Sequence, residues 1–115
     1  MIDRLDDLLK FQSEALRLRG ERQALLSANI ANADTPNYKS VDFDFAKALQ
    51  NAASGNAKAD TPELLYRTPA QANLDGNSVE LDAERARFAD NAVRYEAALK
   101  FLNAQLKAML AAMQG

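Results

Sequence analysis

The sequence has no cysteine, no histidine and no tryptophan. Without cysteine there is no disulfide framework, no zinc–thiolate site and no thiol nucleophile. Without histidine the commonest general base and the commonest metal ligand near neutral pH are missing. An excess of one charge is missing too: 14 basic residues against 16 acidic ones leave a formal net charge of −2. That balance supplies no electrostatic footprint for nucleic acid or for an anionic membrane. No stretch approaches the roughly 18 consecutive apolar residues of a membrane span, so no direct membrane insertion is expected. The opening MIDRLDDLLKFQSEALRLRG puts Asp3, Arg4, Asp6 and Asp7 where a signal peptide needs an apolar core. The chain is expected to be made soluble, and any export is expected to need no cleaved signal. No glycine-rich phosphate loop and no nucleophile–base constellation occurs. Asp42 and Asp44 come nearest to a carboxylate pair, but no further ligand cluster accompanies them. Their alternation with Phe43 and Phe45 reads as the solvent side of a short packed segment. No catalytic, cofactor or metal site is expected, and the chain reads as a non-enzyme.

What is present is helical periodicity. At 115 residues the chain suits one domain or one elongated unit. In the last third, Leu81, Arg85, Phe88, Ala92, Tyr95, Leu99, Leu102, Leu106, Met109 and Met113 recur at alternating steps of four and three. That is a heptad seam with one charged member near its start. Glu84, Arg87, Asp90 and Arg94, with Arg85, read as a solvated face carrying ion pairs. Glu80, Asp82 and Glu84 crowd the helix start and Lys100 and Lys107 come late, which suits the helix dipole. Either Ser78 or Asp82 fits the N-cap. A helix from about residue 82 to 114 would be about 50 Å long at 1.5 Å per residue.

The first third, residues 1–35, also reads as one helix, with two apolar stripes. Ile2, Leu5, Leu9, Leu16, Leu26 and Ile30 form the first, diluted by Gln12, Arg19 and Gln23; Leu8, Phe11, Ala15, Leu18 and Leu25 form the second. Gly20 marks a weak point or kink between their halves. Thr35-Pro36 stops the helix, because proline forces the residue before it into extended geometry. Residues 36–80 form an irregular middle. Val41–Phe45 alternates like a strand, whereas the AKALQ that follows favours helix. Residues of about 50–61 read as a flexible linker. Asp75-Gly76-Asn77 is a hairpin signal, with Leu74 and Val79 as its candidate pair.

The expected fold is therefore mainly α: long N- and C-terminal helices (1–35 and 81–115) pairing as a coiled-coil hairpin, with an irregular or small β-hairpin middle. A two-helix pair buries one stripe per helix, and the middle has few large apolar residues with which to cover the other. Either neighbouring chains complete the core, or the chain closes on itself as a small bundle. An exposed apolar stripe of this length usually marks an interaction surface, but on pattern alone the two readings stand level.

The stretch LLSANIANADTPNYKS at 25–40 resembles the N-terminal signature of the flagellar rod, hook and hook-associated family, in which an asparagine-rich helix end runs into Thr-x-x-Tyr. LDDLLKFQSEALRLRGERQ before it, VDFDFAKAL after it and DGNSVELDAERARFADNAVRY further on extend the resemblance over nearly the whole chain and favour a rod subunit. Asn37 stands where glycine is common in the signature, and asparagine tolerates left-handed backbone better than most residues. The resemblance implies a structural part without chemistry, exported by the flagellar type III apparatus and assembled helically into the periplasmic rod of the basal body. It implies as partners other rod subunits, the inner-membrane ring with its small adaptor protein, and the export gate.

Within the signature, Asn29 and Asn32 share a helix face. They are expected either to bond a neighbouring subunit and fix register, or to fray the helix end into water. Thr35, Pro36 and Tyr38 set the exit from the helix, with the Tyr38 ring buried and its hydroxyl bonded. A cytoplasmic coiled-coil adaptor or export chaperone is the alternative function, and it would form a stable helical dimer.

Overall fold

The two periodic ends become two long helices. In the computed structural model, which describes residues 2–54, 62–67 and 76–114, these are α1 (Ile2–Ala31) and α3 (Leu81–Gln114). Asn29 meets Glu84, Gln23 meets Asn91 and Gly20 faces Tyr95, so the helices run antiparallel. The short elements between them are β1 (Val41–Asp42), α2 (Phe45–Ala53) and β2 (Leu65–Tyr66). β1 and α2 pack against the inner half of α1 and β2 pairs with β1, which leaves the first turns of α1 alone with the far end of α3. The result is an elongated body of 64 × 27 × 18 Å.

The ambiguity at 41–49 resolves as both structures in succession. Val41–Asp42 is a strand, and Asp44 then caps α2 by accepting a hydrogen bond from the Lys47 N–H at 3.1 Å. α2 runs to Ala53, so the first residues of the expected linker are helical; residues 55–61 lie outside the described part. The small sheet pairs β1 with β2 antiparallel, Val41 opposite Tyr66 and Asp42 opposite Leu65. The hairpin expected between Leu74 and Val79 falls outside the described residues at Leu74, and Val79 is buried in a non-strand segment.

α1 passes through Gly20 as one continuous helix. α3 begins at Leu81, with the Glu84 N–H bonded to the Glu80 carbonyl at 2.9 Å. The cap is thus neither Ser78, whose hydroxyl accepts from the Ser40 N–H, nor Asp82, which lies inside the first turn.

The core corrects one expectation. The second stripe of α1 is covered over its inner half: Leu18, Phe43 and Ala48 are buried together, with Leu25, Phe45 and Leu49 packed around them. Leu26 of the first stripe is also fully buried, whereas Leu9, Leu16 and Ile30 are half-buried. Leu5, Leu8 and Phe11, beyond the reach of the middle segment, stay exposed.

The seam of α3 is rotated from its expected register. Glu84, Asn91, Ala98 and Gln105 lie on the more buried side together with Phe88, Leu102 and Met109. Leu81 and Ala92 are half-buried, while Arg85, Tyr95, Leu99, Leu106 and Met113 are exposed. The sequence carries two adjacent stripes in heptad register, and the polar contacts of Glu84 and Asn91 with α1 decide which faces inward.

Gly20 sits in a helix interior where an added Cβ would lie 3.8 Å from the Tyr95 ring, an ordinary contact. Gly20→Ala is therefore expected to stabilise the fold by about 0.5–1 kcal/mol. Urea denaturation checks this, read as a higher midpoint with unchanged slope.

Candidate functional site

The signature stretch folds into a buried polar junction where α1, β1 and α3 meet. Asn29 is fully buried on the last turn of α1. Its Nδ2 donates to the Val41 carbonyl at 2.8 Å and to Glu84 Oε2 at 3.1 Å. Its Oδ1 accepts from the Val41 N–H at 3.0 Å and the Tyr38 hydroxyl at 3.2 Å. The side chain thus pairs with both backbone groups of Val41, closing the outer edge of β1 as another strand would, while holding α3 by its glutamate. All four hydrogen-bonding positions of the amide are used inside the chain. The expected bond from Asn29 to a neighbouring subunit is therefore replaced by an internal one.

Glu84, expected on a solvated face, is fully buried as well. Its Oε1 lies 3.0 Å from Arg87 Nη1 and 3.0 Å from Arg67 Nε, the latter contact being ionic rather than a well-aimed hydrogen bond. Arg67 continues to Asp42, donating from Nη2 to Oδ2. From the other side Arg22 grips Asp42 with two nitrogens, Nε to Oδ1 at 3.1 Å and Nη2 to Oδ2 at 3.0 Å. Asp42 is thus buried and ion-paired, not on the solvent side as its alternation with phenylalanines suggests. Burial pushes its carboxyl up. The hydrogen bond from Arg22, the Phe43 N–H, the charge of Arg22 and the bond from Arg67 outweigh this and hold it below the ordinary value of 3.8. Asp44 is exposed and serves only as the α2 cap.

The exit from α1 is a second polar cluster. Asn32 Nδ2 donates to the Ala28 carbonyl at 2.8 Å, and Asn32 Oδ1 accepts from the Thr35 hydroxyl at 3.0 Å. Asn32 is half-buried and fixes its own turn. Pro36 is exposed, and Asn37 adopts φ 63°, the left-handed geometry that glycine commonly supplies there. Asn77, buried, donates to the carbonyls of Asn32 at 2.9 Å and Thr35 at 2.6 Å, capping the end of α1 from across the fold. Gly76 beside it has φ 76°, and an added Cβ would come within 2.3 Å of Asn37 Oδ1. Further along, the Ser78 N–H donates to the Tyr38 carbonyl at 2.9 Å and the Arg67 N–H to the Ser40 carbonyl at 3.0 Å.

Between the helices, Asn91 is buried and donates from Nδ2 to the Arg19 carbonyl at 2.9 Å and to Gln23 Oε1 at 2.8 Å. Asn91 thus acts as a polar residue in a helix seam that fixes register, a role expected of Asn29 and Asn32. The structure thus gathers Asn29 and Tyr38 into one network, sets Asn32, Thr35 and Pro36 beside it, and leaves the seam leucines apart. The sequence pattern marks none of Arg22, Arg67 and Asn91, and marks Asn77 only as part of a turn. The available signal was an asparagine one heptad beyond Glu84 on the same helix face. Among the described residues no group of three or more His, Cys, Asp or Glu is placed to hold a metal ion. No helix among them is long and apolar enough to cross a membrane.

Comparison with known proteins points to the same stretch. A family model described as flagella basal body rod protein matches residues 9–39, from the first turns of α1 through the Asn37–Tyr38 turn. The flagellar basal body rod protein FlgB of Salmonella typhimurium is 45% identical, covering 100% of this chain and 99% of that protein. The protein of the same name from Escherichia coli is 44% identical over 99% of this chain and 98% of its own length. The one from Cereibacter sphaeroides is 40% identical over 95% of each.

Removing Asn29 strands the Val41 backbone groups and a buried carboxylate, so Asn29→Ala is expected to cost about 2–3 kcal/mol. Asn32→Ala, which loses only local turn bonds, is expected to cost about 1 kcal/mol or less. Urea denaturation of the two variants side by side checks the contrast. Because the Asp42 pKa is lower in the folded state, its stabilisation is present above about pH 4 and is lost as pH falls through the folded value. Asp42→Asn is expected to cost about 3 kcal/mol at neutral pH, because Arg22 loses its ion pair and Arg67 keeps only its contact with Glu84. It should also flatten the acid side of the stability–pH curve, measured by denaturation at a series of pH values.

Proposed function

The chain belongs to the family of flagellar basal body rod proteins and is a structural subunit of that rod; we propose that it is a proximal subunit. In this reading it assembles helically with other rod proteins into the periplasmic drive shaft and export channel, without chemistry of its own. The observation that carries the reading is the division of the molecule into two unlike ends. At the inner end, α1 and α3 are locked by buried polar groups and covered by the middle segment. At the outer end only two helices remain, and their apolar residues lie open. Phe101 is 54% exposed, Leu110 58% and Met113 82%, with Leu5, Leu8, Phe11, Leu99 and Leu106 also exposed nearby. A two-helix hairpin cannot bury these residues itself, and an exposed apolar surface of this extent marks a protein contact.

The same reading takes the chain out of the cytoplasm by the flagellar type III export gate without a cleaved signal. It places the chain against the inner-membrane ring and its adaptor protein, as well as against other rod subunits. Leu81, Phe88, Ala92, Tyr95, Leu102 and Met109 serve the pairing of the two helices, and Leu99, Leu106 and Met113 the contacts with neighbours. The alternative of a cytoplasmic coiled-coil adaptor or export chaperone has no observation in its favour.

Phe101→Asp combined with Leu110→Asp places two charges on the open face while sparing the inner junction. The isolated variant is expected to keep its helical circular dichroism and to change in stability by no more than about 0.5 kcal/mol. In cells it is expected to be missing from purified basal bodies and to abolish motility. Normal motility with the variant built into basal bodies would overturn the reading.

A further inference from the structure

Beside the polar junction lies an open cleft of about 640 Å³, bounded by α1, the β1–α2 bend, β2 and α3. Four arginines line it, Arg19, Arg22, Arg67 and Arg94, against three aspartates. All three aspartates are engaged: Asp42 with Arg22 and Arg67, Asp90 with Arg94, and Asp44 with the start of α2. Arg19 has no ion pair among the described residues. Its guanidinium stacks 4.2 Å from the centroid of the Phe45 ring and makes a long, 3.5 Å contact to Asn91 Oδ1. Burial lowers its pKa, repulsion from Arg94 and Arg22 adds to this, and Asp90 opposes it. The outer wall of the cleft is apolar: β2 is tied down through its backbone and Arg67, while Leu65 and Tyr66 face outward, Tyr66 at 75% exposure. The cleft therefore offers a partly desolvated, uncompensated cation next to apolar surface, and it suits a carboxylate carried among aliphatic side chains.

We propose that this cleft receives the start of α1 from a second copy of the chain, an assignment that rests on reading the protein as a rod subunit. Asp6-Asp7 is the one place in the sequence with adjacent carboxylates, and Leu5 and Leu8 flank it. All four residues are exposed. The other acidic run, at the start of α3, has Glu84 committed to the junction. Asp7 and Arg19 lie on one continuous helix, about 18 Å apart at 1.5 Å per residue, so a chain cannot satisfy its own cleft. Each copy presents both halves on different surfaces. The contact is heterologous, and repeated from copy to copy it builds an open helical array wherever the rotation does not close a ring.

The chain has no cysteine, so introduced thiols report without background. Arg4→Cys with Tyr66→Cys, both at exposed positions, are oxidised in purified basal bodies. The expected result is a ladder of cross-linked species beyond the dimer. Adding Arg19→Glu is expected to reduce it roughly tenfold, and adding Asp6→Arg and Asp7→Arg to Arg19→Glu to recover most of it. As a second reading without cysteines, Arg19→Glu and the Asp6→Arg, Asp7→Arg pair should each lower incorporation into basal bodies, and their combination should restore it. Incorporation of the chain with no ladder, a ladder indifferent to Arg19→Glu, or charge variants that incorporate normally would overturn the proposal and leave the rod reading standing. Absence of the unsubstituted chain from basal bodies would overturn both.

Discussion

The structure depends on one buried amide. Asn29 reaches the two ends of the chain and its middle at once, bonding Glu84 of α3 and both backbone groups of Val41. A buried polar group of this kind is costly unless each of its bonds is made. Here the bonds lead to three separate places, Val41 of β1, Glu84 of α3 and the Tyr38 hydroxyl. Sliding α3 by a turn, or letting β1 drift from α1, would strand a carboxylate or a backbone pair in the interior. The junction therefore selects one arrangement among many that the apolar stripes alone would allow. The ion pairs around it act in the same sense. Buried pairs contribute little net stability compared with apolar packing, and their value lies in what breaking them would cost.

Polar specification at one end permits apolar exposure at the other. The register of α1 against α3 is set by Asn29–Glu84 and by Asn91 with Gln23 and the Arg19 carbonyl. The distal leucines and Phe101 are then not needed to choose a partner within the chain. They stay exposed on the single chain. The same division explains why the middle segment is short. It needs only to cover Leu18 and Leu25 and to carry Asp42 and Arg67 into the junction. A subunit built this way has a fixed inner end and an outer end completed by assembly, which suits a tube made of repeated copies.

The long helices, their antiparallel pairing and the break near Pro36 were legible because period and turn chemistry are local properties. The left-handed backbone at Asn37 was legible for the same reason. The heptad register of α3 was read one position off at alternate steps. Leu99 and Leu106 look better buried than Ala98 and Gln105, and only the long-range bonds of Glu84 and Asn91 reverse that ranking. Asp42 and Glu84 were read as solvent-facing because a charge in an amphipathic pattern usually is. Arg22 lies 20 positions from Asp42 and Arg67 17 from Glu84, and no window of local pattern contains such pairings; only Arg87, three residues from Glu84, is a local partner. Asn29 was recognised as special, but the direction of its bonds, inward rather than across subunits, depends on where Val41 and Glu84 come to lie.

Native-state hydrogen exchange on the isolated chain tests the central claim most directly. If the junction is the constraint that specifies the fold, the amides of Val41 and Arg67 exchange only when the Leu18–Leu26 turns of α1 open, with one shared free energy. The amides of residues 99–114 then exchange by a separate, easier opening. Exchange of Val41 and Arg67 at the lower free energy of the distal helices, while the inner turns of α1 stay protected, would contradict the account. It would mean that the middle segment comes away without disturbing the helix pair.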